Sequence, residues 1–163
     1  MKEPSARPAD AVETAVRTYG NALYRLCFVM LGNECDAEDA VQEVFIRYLQ
    51  KAPAFADEEH EKAWLITVAA NRCRDILRLR KRHPQIDAEA LGEVPAQTED
   101  SSGILEALLA LPEKFRLVLI LYYVEEYPVE AIAEIIGRTS SAVKMRLRKG
   151  RKLLEELYRK EYL

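Results

Sequence analysis

The chain has 163 residues, of which 49% are hydrophobic and 31% are charged, and its formal net charge is −3. This length and balance fit one medium domain or two small helical domains that each bury a core. The cysteines and histidines match no zinc-ligand spacing, so we expect no metal site, and no motif indicates a cofactor. There is no apolar signal segment, and no apolar run approaches the roughly 20 residues of a membrane span. We therefore expect a cytoplasmic protein without membrane insertion, with Cys27 and Cys73 in its core.

Charge is segregated along the chain although the net charge is small. Acidic residues dominate 34–61 and are the only charged residues besides His83 in 83–103. Basic residues dominate 62–82 and are the only charged residues in 138–152. A chain with two basic and two acidic surfaces can bind DNA and a basic protein groove at the same time.

The apolar spacing predicts helices and almost no strand in the first half of the chain. A first helix is expected from Val12 to near Gly32. A second helix is expected to start at Asp36, whose side chain can cap it, and to end before Pro53. A loop over 53–61 then leads to a third helix over 62–82.

Residues 84–102 contain prolines, serines and acids without periodicity, which predicts a flexible acidic linker. Helical segments follow at 104–111, 115–124 and 129–136, and a long last helix can be capped by Thr139 or Ser140. The predicted fold class is therefore all-α, with two small helical domains joined by the linker. Their expected limits are 10–83 and 103–160.

The last two helices have the layout of a helix-turn-helix DNA reader. A short apolar helix is followed by Gly137, which favours a helix end, and then by a long basic helix. One face of the long helix is apolar: Val143, Leu147, Gly150 and Leu154. Cations cover the rest: Lys144, Arg146, Arg148, Lys149, Arg151 and Lys152. Because a second helix that presents cations is typical of DNA recognition, nucleic acid is the leading partner despite the negative net charge.

The third helix also has an apolar and a polar side. The apolar side contains Leu65, Val68, Ala69, Cys73, Ile76 and Leu79. The opposite side contains Thr67, Asn71, Arg74, Arg78 and Lys81, and Trp64 lies near its border. Few of these cations have an acid four residues away. The polar side suits phosphates and exposed bases, although a solvated amphipathic helix is the alternative.

Four segments, in this order, resemble a known family. The segments Asp36–Phe45 and Trp64–Arg78 resemble domain 2 of bacterial sigma factors, and Leu111–Arg116 and the helix-turn-helix through Val143–Arg148 resemble domain 4. Two such domains with only a linker between them are the arrangement of the extracytoplasmic-function (ECF, group IV) members of the sigma-70 family. The resemblance implies a non-enzymatic subunit that binds RNA polymerase core, recognises the −35 and −10 promoter elements and promotes DNA opening. An anti-sigma factor is a further partner that it implies.

The resemblance assigns polymerase binding to the second helix. The family's core-binding residues correspond to Asp39, Gln42 and Glu43, which would dock on the clamp coiled coil of the polymerase, and the flap is the other expected contact. Phe45, by contrast, is expected to pack in the core. The acids at the start of this helix have a second explanation, because they also complement the helix dipole.

The resemblance assigns recognition and melting of the −10 element to the loop over 53–61 and the third helix. The sequence has no phosphate-cradling loop, so the cost of opening DNA has to be recovered by binding the separated strand. The candidates near a flipped base are Phe55, Lys62, Trp64 and Asn71, and those for the upstream duplex are Arg74, Arg78 and Lys81. For Trp64, packing in the core is the alternative.

The resemblance assigns the −35 element to the last helix. The residues exposed on its helical wheel that can reach bases are Ser141, Lys144, Met145, Arg148 and Lys149. The candidate phosphate contacts are Arg138, Arg151 and Lys152. Met145 departs from the small polar residue expected in the family, and Gly150 replaces the usual alanine.

Three other functions stay open at this point. A stand-alone helix-turn-helix regulator would bind promoter duplex without polymerase, but it would not need the acidic second helix. An anti-sigma or sigma-like adaptor protein would leave the basic surfaces unexplained. An enzyme is disfavoured, because the carboxylates have no accompanying histidine, cysteine or serine constellation.

Overall fold

The computed structural model describes residues 8–83 and 103–162, and all of its regular elements are helical. The all-α prediction is confirmed for these residues, while the predicted linker, 84–102, lies outside them. The chain divides into two compact units, Met1–Leu77 and Arg78–Leu163. This division falls inside the third helix, earlier than the predicted domain limit at residue 83, and the predicted limits stay predictions.

Three helices form the first part of the chain: α1 (Ala9–Leu31), α2 (Glu34–Lys51) and α3 (Glu58–Arg82). The left-handed Gly32, with φ of 71°, ends α1 as expected, and its N–H donates to Phe28 O at 2.7 Å. The largest fully buried side chains come from all three helices: Leu23, Leu26, Met30, Val44, Tyr48, Leu65 and Ile66. Cys27 and Cys73 are buried in this core as predicted, and so is Phe45.

Both later helices begin earlier than predicted, because other residues cap them. The side chain of Asn33, not Asp36, caps α2 and accepts the Asp36 N–H at 3.1 Å. Asp57 caps α3, since its Oδ1 accepts the His60 N–H at 2.9 Å, and the helix therefore starts at Glu58 and not at Lys62. Hydrogen bonds from the backbone and the ring of His60 lower the pKa of the Asp57 carboxyl. Three acids in the first turn of α3 add a favourable interaction with its dipole.

The second part of the chain contains α4 (Ile104–Ala110), α5 (Glu113–Leu119), α6 (Val129–Ile136) and α7 (Ser140–Tyr162). The segment predicted as one helix over 115–124 is α5 followed by a π-helical turn, Ile120–Val124, in which the Glu125 N–H donates to Ile120 O at 3.0 Å. The fully buried side chains of this part come from α5, the π-helical turn, α6 and α7: Leu117, Val118, Leu121, Ile132 and Val143.

The helix-turn-helix is formed by α6 and α7. Gly137 ends α6 in the left-handed conformation, with φ of 68°, as a helix-stopping glycine does. Thr139 caps α7 through its Oγ1, which accepts the Ala142 N–H at 3.1 Å. Val143 and Leu147 of α7 are buried as predicted.

Candidate polymerase and nucleic-acid interfaces

The predicted core-binding residues of α2 lie on one exposed face. Asp39, Gln42 and Glu43 are all exposed, and their spacing of three and four residues places them side by side on the helix. Ile46 extends the same face by one turn and is 53% exposed, which is unusual for a large apolar side chain. Ile46 is not among the residues predicted from the sequence, although its position seven residues after Asp39 indicates the same helix face.

Glu43 also contacts α3. Its carboxylate forms an ion pair with Arg72, and Arg72 Nη2 donates to Glu43 Oε1 at 3.2 Å. A groove of about 310 Å³ runs along this contact between α2 and α3, and Val44, Ile46 and Val68 are among its lining residues. Arg72 is not among the residues predicted from the sequence, because a helical wheel describes neighbours within one helix and not across two.

Two of the −10 candidates belong to an aromatic cluster beside the loop between α2 and α3. The rings of Phe55 and Trp64 are 5.9 Å apart and edge-on, and both approach the buried ring of Tyr48, at 6.4 and 6.3 Å. Phe55 and Trp64 are each half-buried. Part of the Trp64 side chain is therefore packed against the protein, as the core alternative predicted, while the other part remains accessible to a ligand.

The base of this cluster is fixed by hydroxyl groups. Tyr48 Oη donates to Glu61 Oε2 at 3.1 Å, and Tyr19 Oη donates to Glu58 O at 3.4 Å. Burial, together with hydrogen bonding to Glu61, raises the pKa of Tyr19 to about 12, so this hydroxyl stays protonated at neutral pH. The start of α3 is thereby attached to both α1 and α2.

The remaining −10 candidates divide between two sides of α3. Asn71, Arg74, Arg78 and Lys81 follow one another along one side, as predicted, and Arg74 Nη2 donates to Asn71 Oδ1 at 3.0 Å. Lys62 lies on the other side of the helix, because nine residues separate it from Asn71, or about two and a half turns. The apolar side of α3 is only partly buried: its last fully buried residue is Cys73, and Leu79 is 51% exposed.

The −35 candidates on α7 form an exposed surface opposite the buried face of Val143 and Leu147. Its members lie within about half of the helix circumference: Ser141, Lys144, Met145, Arg148 and Lys152, all exposed. Met145 is 68% exposed, the highest value among the exposed large apolar residues. Arg138, in the turn before α7, is exposed as well.

Two other −35 candidates contact the protein at the edges of this surface. Lys149 Nζ lies 5.8 Å from the centre of the Phe115 ring, and Arg151 Nη1 donates to Tyr123 Oη at 2.9 Å. Tyr123 is exposed because the π-helical turn places it and Tyr122 outside the core. Tyr123 is not among the residues predicted from the sequence, since nothing in the apolar spacing indicates a π-helical turn.

Gly150 explains how closely α7 approaches α5. A Cβ at this position would lie 3.3 Å from both Phe115 Cβ and Leu119 Cδ1, which is closer than ordinary van der Waals contact. The departure from the usual alanine therefore coincides with a tight helix–helix contact.

Comparison with known proteins identifies the family. The sigma-70 region 2 family matches residues 15–83, and the sigma-70 region 4 family matches residues 102–154. The chain is 30% identical to the ECF RNA polymerase sigma factor SigW of Bacillus subtilis, over 98% of this chain and 95% of SigW. It is 31% identical to the RNA polymerase sigma factor SigV of the same organism, over 100% of this chain and 99% of SigV. The chain belongs to the ECF sigma factors of the sigma-70 family.

Solved structures share the fold of this ECF sigma factor. The sigma factor RpoE of Bartonella quintana, in complex with the anti-sigma factor NepR, has a TM-score of 0.75 at 24% identity, over 93% of this chain and 98% of that chain. CnrH, in complex with the cytosolic domain of CnrY, has a TM-score of 0.68 at 23% identity, over 92% and 88% of the two chains.

Family membership gives the general function. The protein is a sigma factor for transcription initiation, and sigma factors bind RNA polymerase and promoter DNA. They are generally regulators and not enzymes. In the part of the chain that the structure describes, no helix combines the length and the apolar character needed to cross a bilayer.

Proposed function

We propose that this sigma factor binds RNA polymerase core through the exposed face of α2, melts the −10 element with α3 and the loop before it, and reads the −35 element with α7. Asp39, Gln42 and Glu43 would contact the clamp coiled coil of the polymerase, and the flap would be a second contact. The protein would act in the cytoplasm, where its polymerase and promoters are, and would carry out no reaction of its own.

The surface of α7 is the observation that carries this proposal. A helix-turn-helix whose second helix exposes a serine, a methionine and three cations on one side fits the major groove, where lysine and arginine contact guanine most often. We assign Lys144 and Arg148 to base edges, with Ser141 and Met145 beside them. Arg138, Arg151 and Lys152 are the phosphate contacts that fix the position of α7. Lys149 is a base contact only if its ammonium leaves the Phe115 ring.

The assignment of melting to the first part of the chain rests on its aromatic cluster. The exposed parts of Phe55 and Trp64 offer ring surfaces to an unstacked base, and stacking on aromatic side chains is worth about 1–3 kcal/mol per base. That gain is of the size needed to offset unpairing. Asn71 would act near the flipped base, and Arg74, Arg78 and Lys81 would contact the adjoining duplex. Lys62 lies on the other side of α3, so it would contact DNA at the loop over 53–61 and not alongside Arg74, Arg78 and Lys81.

An anti-sigma factor is the regulator that we propose for this protein. RpoE, which shares its fold, was solved with the anti-sigma factor NepR, and CnrH was solved with the cytosolic domain of CnrY. Purification of the full chain from its host, followed by mass spectrometry, would identify the partner. The partner has to abolish transcription when it is added back to the purified components.

Transcription in vitro tests the whole proposal. Purified core polymerase, a genomic promoter library and the full chain should give new transcripts that share one pair of −35 and −10 sequences. Core polymerase without the chain is the control. Core binding without transcripts would indicate an adaptor, and promoter binding without core would indicate a stand-alone regulator.

A further inference from the structure

The ion pair between Glu43 and Arg72 joins the polymerase-binding face of α2 to α3. Both ends of the pair are partly accessible: the Arg72 side chain is 36% exposed and that of Glu43 is 47% exposed. Two guanidinium nitrogens of Arg72, Nε and Nη2, each approach a different oxygen of the Glu43 carboxylate. Nη2 donates a hydrogen bond, whereas Nε approaches the second oxygen without forming one, so this two-point contact is one hydrogen bond within an ion pair, and it restrains the position of the carboxylate.

The pair contributes little to the stability of the fold. Ion pairs at this level of exposure are weakened by water and salt, and many have no measurable effect on folding. A two-point contact, however, restricts the side-chain rotamers of the glutamate. The main consequence of the contact is therefore the conformation of Glu43 and not the stability of the helices.

Restricting Glu43 matters for a residue that binds a partner. A glutamate side chain that is free in solution loses conformational entropy when it is immobilised at an interface, and this loss weakens binding. A carboxylate has about four lone-pair sites, and the hydrogen bond from Arg72 Nη2 uses one of them. Glu43 can thus accept hydrogen bonds from a basic partner while Arg72 keeps it in place.

We propose that Arg72 is a positioning residue for polymerase binding, which holds the Glu43 carboxylate on the exposed face of α2 in the conformation that the polymerase core binds. This inference rests on the proposed function, in which Glu43 contacts the polymerase. Arg72 acts through Glu43 and makes no contact with the polymerase itself.

Equilibrium binding of the full chain to core polymerase, without DNA, tests the inference. Arg72→Gln removes the ion pair and should weaken binding by roughly two- to tenfold, the range expected for one side chain that has to be ordered on association. Arg72→Lys keeps the charge but not the two-point contact, and should recover part of the loss. The thermal unfolding temperature should stay unchanged in both variants, which separates positioning from a structural role.

Two further variants make the test specific. Arg17→Gln breaks a comparable exposed pair, with Glu13 on α1, and should bind core as tightly as the wild type. Glu43→Gln should weaken binding, and adding Arg72→Gln to it should cause no further loss, because Arg72 acts only through Glu43. A further loss in the double variant would overturn the inference.

The outcomes separate this inference from the function on which it rests. If the wild type does not bind core polymerase, the proposed function fails first. If the wild type binds and Glu43→Gln weakens binding, but Arg72→Gln binds as well as the wild type or better, the function stands and the positioning role of Arg72 is wrong.

Discussion

The candidate surfaces of α1–α3 and of α7 are built in different ways. In the first part of the chain, the candidate side chains contact one another or a neighbouring helix: Glu43 pairs with Arg72, Arg74 donates to Asn71, and Phe55 packs against Trp64. On α7, the central candidates form an exposed row of mostly cationic side chains. The first surface is held by contacts within the protein, whereas the second is an exposed row of side chains on one helix.

This difference corresponds to the two states of DNA that the protein would bind. Duplex DNA is regular and densely charged, so a row of exposed cations on a helix can bind it without a preformed pocket. A separated strand is flexible, and its bases have to be received by ring surfaces that are already in place. We therefore expect substitutions on α7 to change affinity and its salt dependence, and substitutions in the aromatic cluster to change strand opening.

The largest effect is expected for Arg148→Ala. If Arg148 contacts a guanine edge, its loss should cost about 1–3 kcal/mol, and promoter binding by the holoenzyme should fall roughly 5- to 150-fold. Selectivity at one −35 base pair should relax at the same time. Binding to a set of promoters with single −35 changes measures both effects.

Two substitutions on the same helix serve as controls for Arg148→Ala. Lys152→Gln should weaken binding to all promoters alike and lower the salt slope by about one, as a phosphate contact does. Arg159→Gln removes an exposed cation that pairs with Glu155 at 2.7 Å, and should have little effect. Equal losses of promoter affinity in all three variants would mean that α7 binds DNA through its positive charge and does not distinguish between bases.

The next largest effect is expected for Phe55→Leu, which keeps an apolar side chain but removes the ring. Loss of the contacts with Tyr48 and Trp64 should lower stability by about 0.5–1.5 kcal/mol. Strand opening should fall further, because a stacking surface for the flipped base is lost. Permanganate reactivity of −10 thymines measures opening, and thermal unfolding measures stability.

Phe28→Leu is the matched control for Phe55→Leu. Phe28 stacks on Tyr24 in α1, with ring centres 6.0 Å apart, outside every candidate site. It should show a similar loss of stability and normal opening. If both variants open promoters equally poorly, stability alone explains the effect and the cluster has no role in melting.

Local signals in the sequence predicted much of this fold. Gly32 and Gly137 end helices as expected, and Thr139 caps α7, because these effects depend only on residues within one turn. The starts of α2 and α3 were predicted too late. In each case the residue that caps the helix, Asn33 or Asp57, lies before the predicted start of that helix.

The sequence predicted which candidates share a helix face but not what they contact. Glu43 and Arg72 are 29 positions apart, and Tyr123 and Arg151 are 28 apart, so neither pair has a local signal. The wheel also placed Leu79 on the buried side of α3, where it is exposed. Periodicity gives the direction of a side chain, whereas burial depends on whether another element covers it.

A smaller effect is expected for Met145→Ser. Because Met145 is 68% exposed on the α7 surface, it can contact a thymine methyl group in the −35 element. Burying one methyl is worth about 0.8 kcal/mol, or roughly fourfold in affinity. Replacing the −35 thymines one at a time by deoxyuridine should weaken the wild type at one position.

The serine variant is the control for that methyl contact. It should bind the thymine and deoxyuridine promoters equally, because the thioether that meets the methyl is gone. If the wild type does not distinguish the two promoters at any position, Met145 does not read thymine, and its effect on −35 preference has another cause.

The smallest effects are expected for two glycine substitutions that compare the two parts of the chain directly. At Gly20 in α1, a new Cβ would have Val16 Cγ1 at 3.9 Å as its nearest neighbour, so Gly20→Ala should stabilise the protein by about 0.5–1 kcal/mol through helix propensity.

At Gly150 the same gain in stability is opposed by contacts of 3.3 Å, and one of these is with Phe115 Cβ, which cannot move unless α5 moves. Gly150→Ala should therefore be no more stable than the wild type in urea unfolding followed by circular dichroism. Equal stabilisation by both alanines would show that α5 yields by a few tenths of an ångström, and that close approach of α7 does not require glycine.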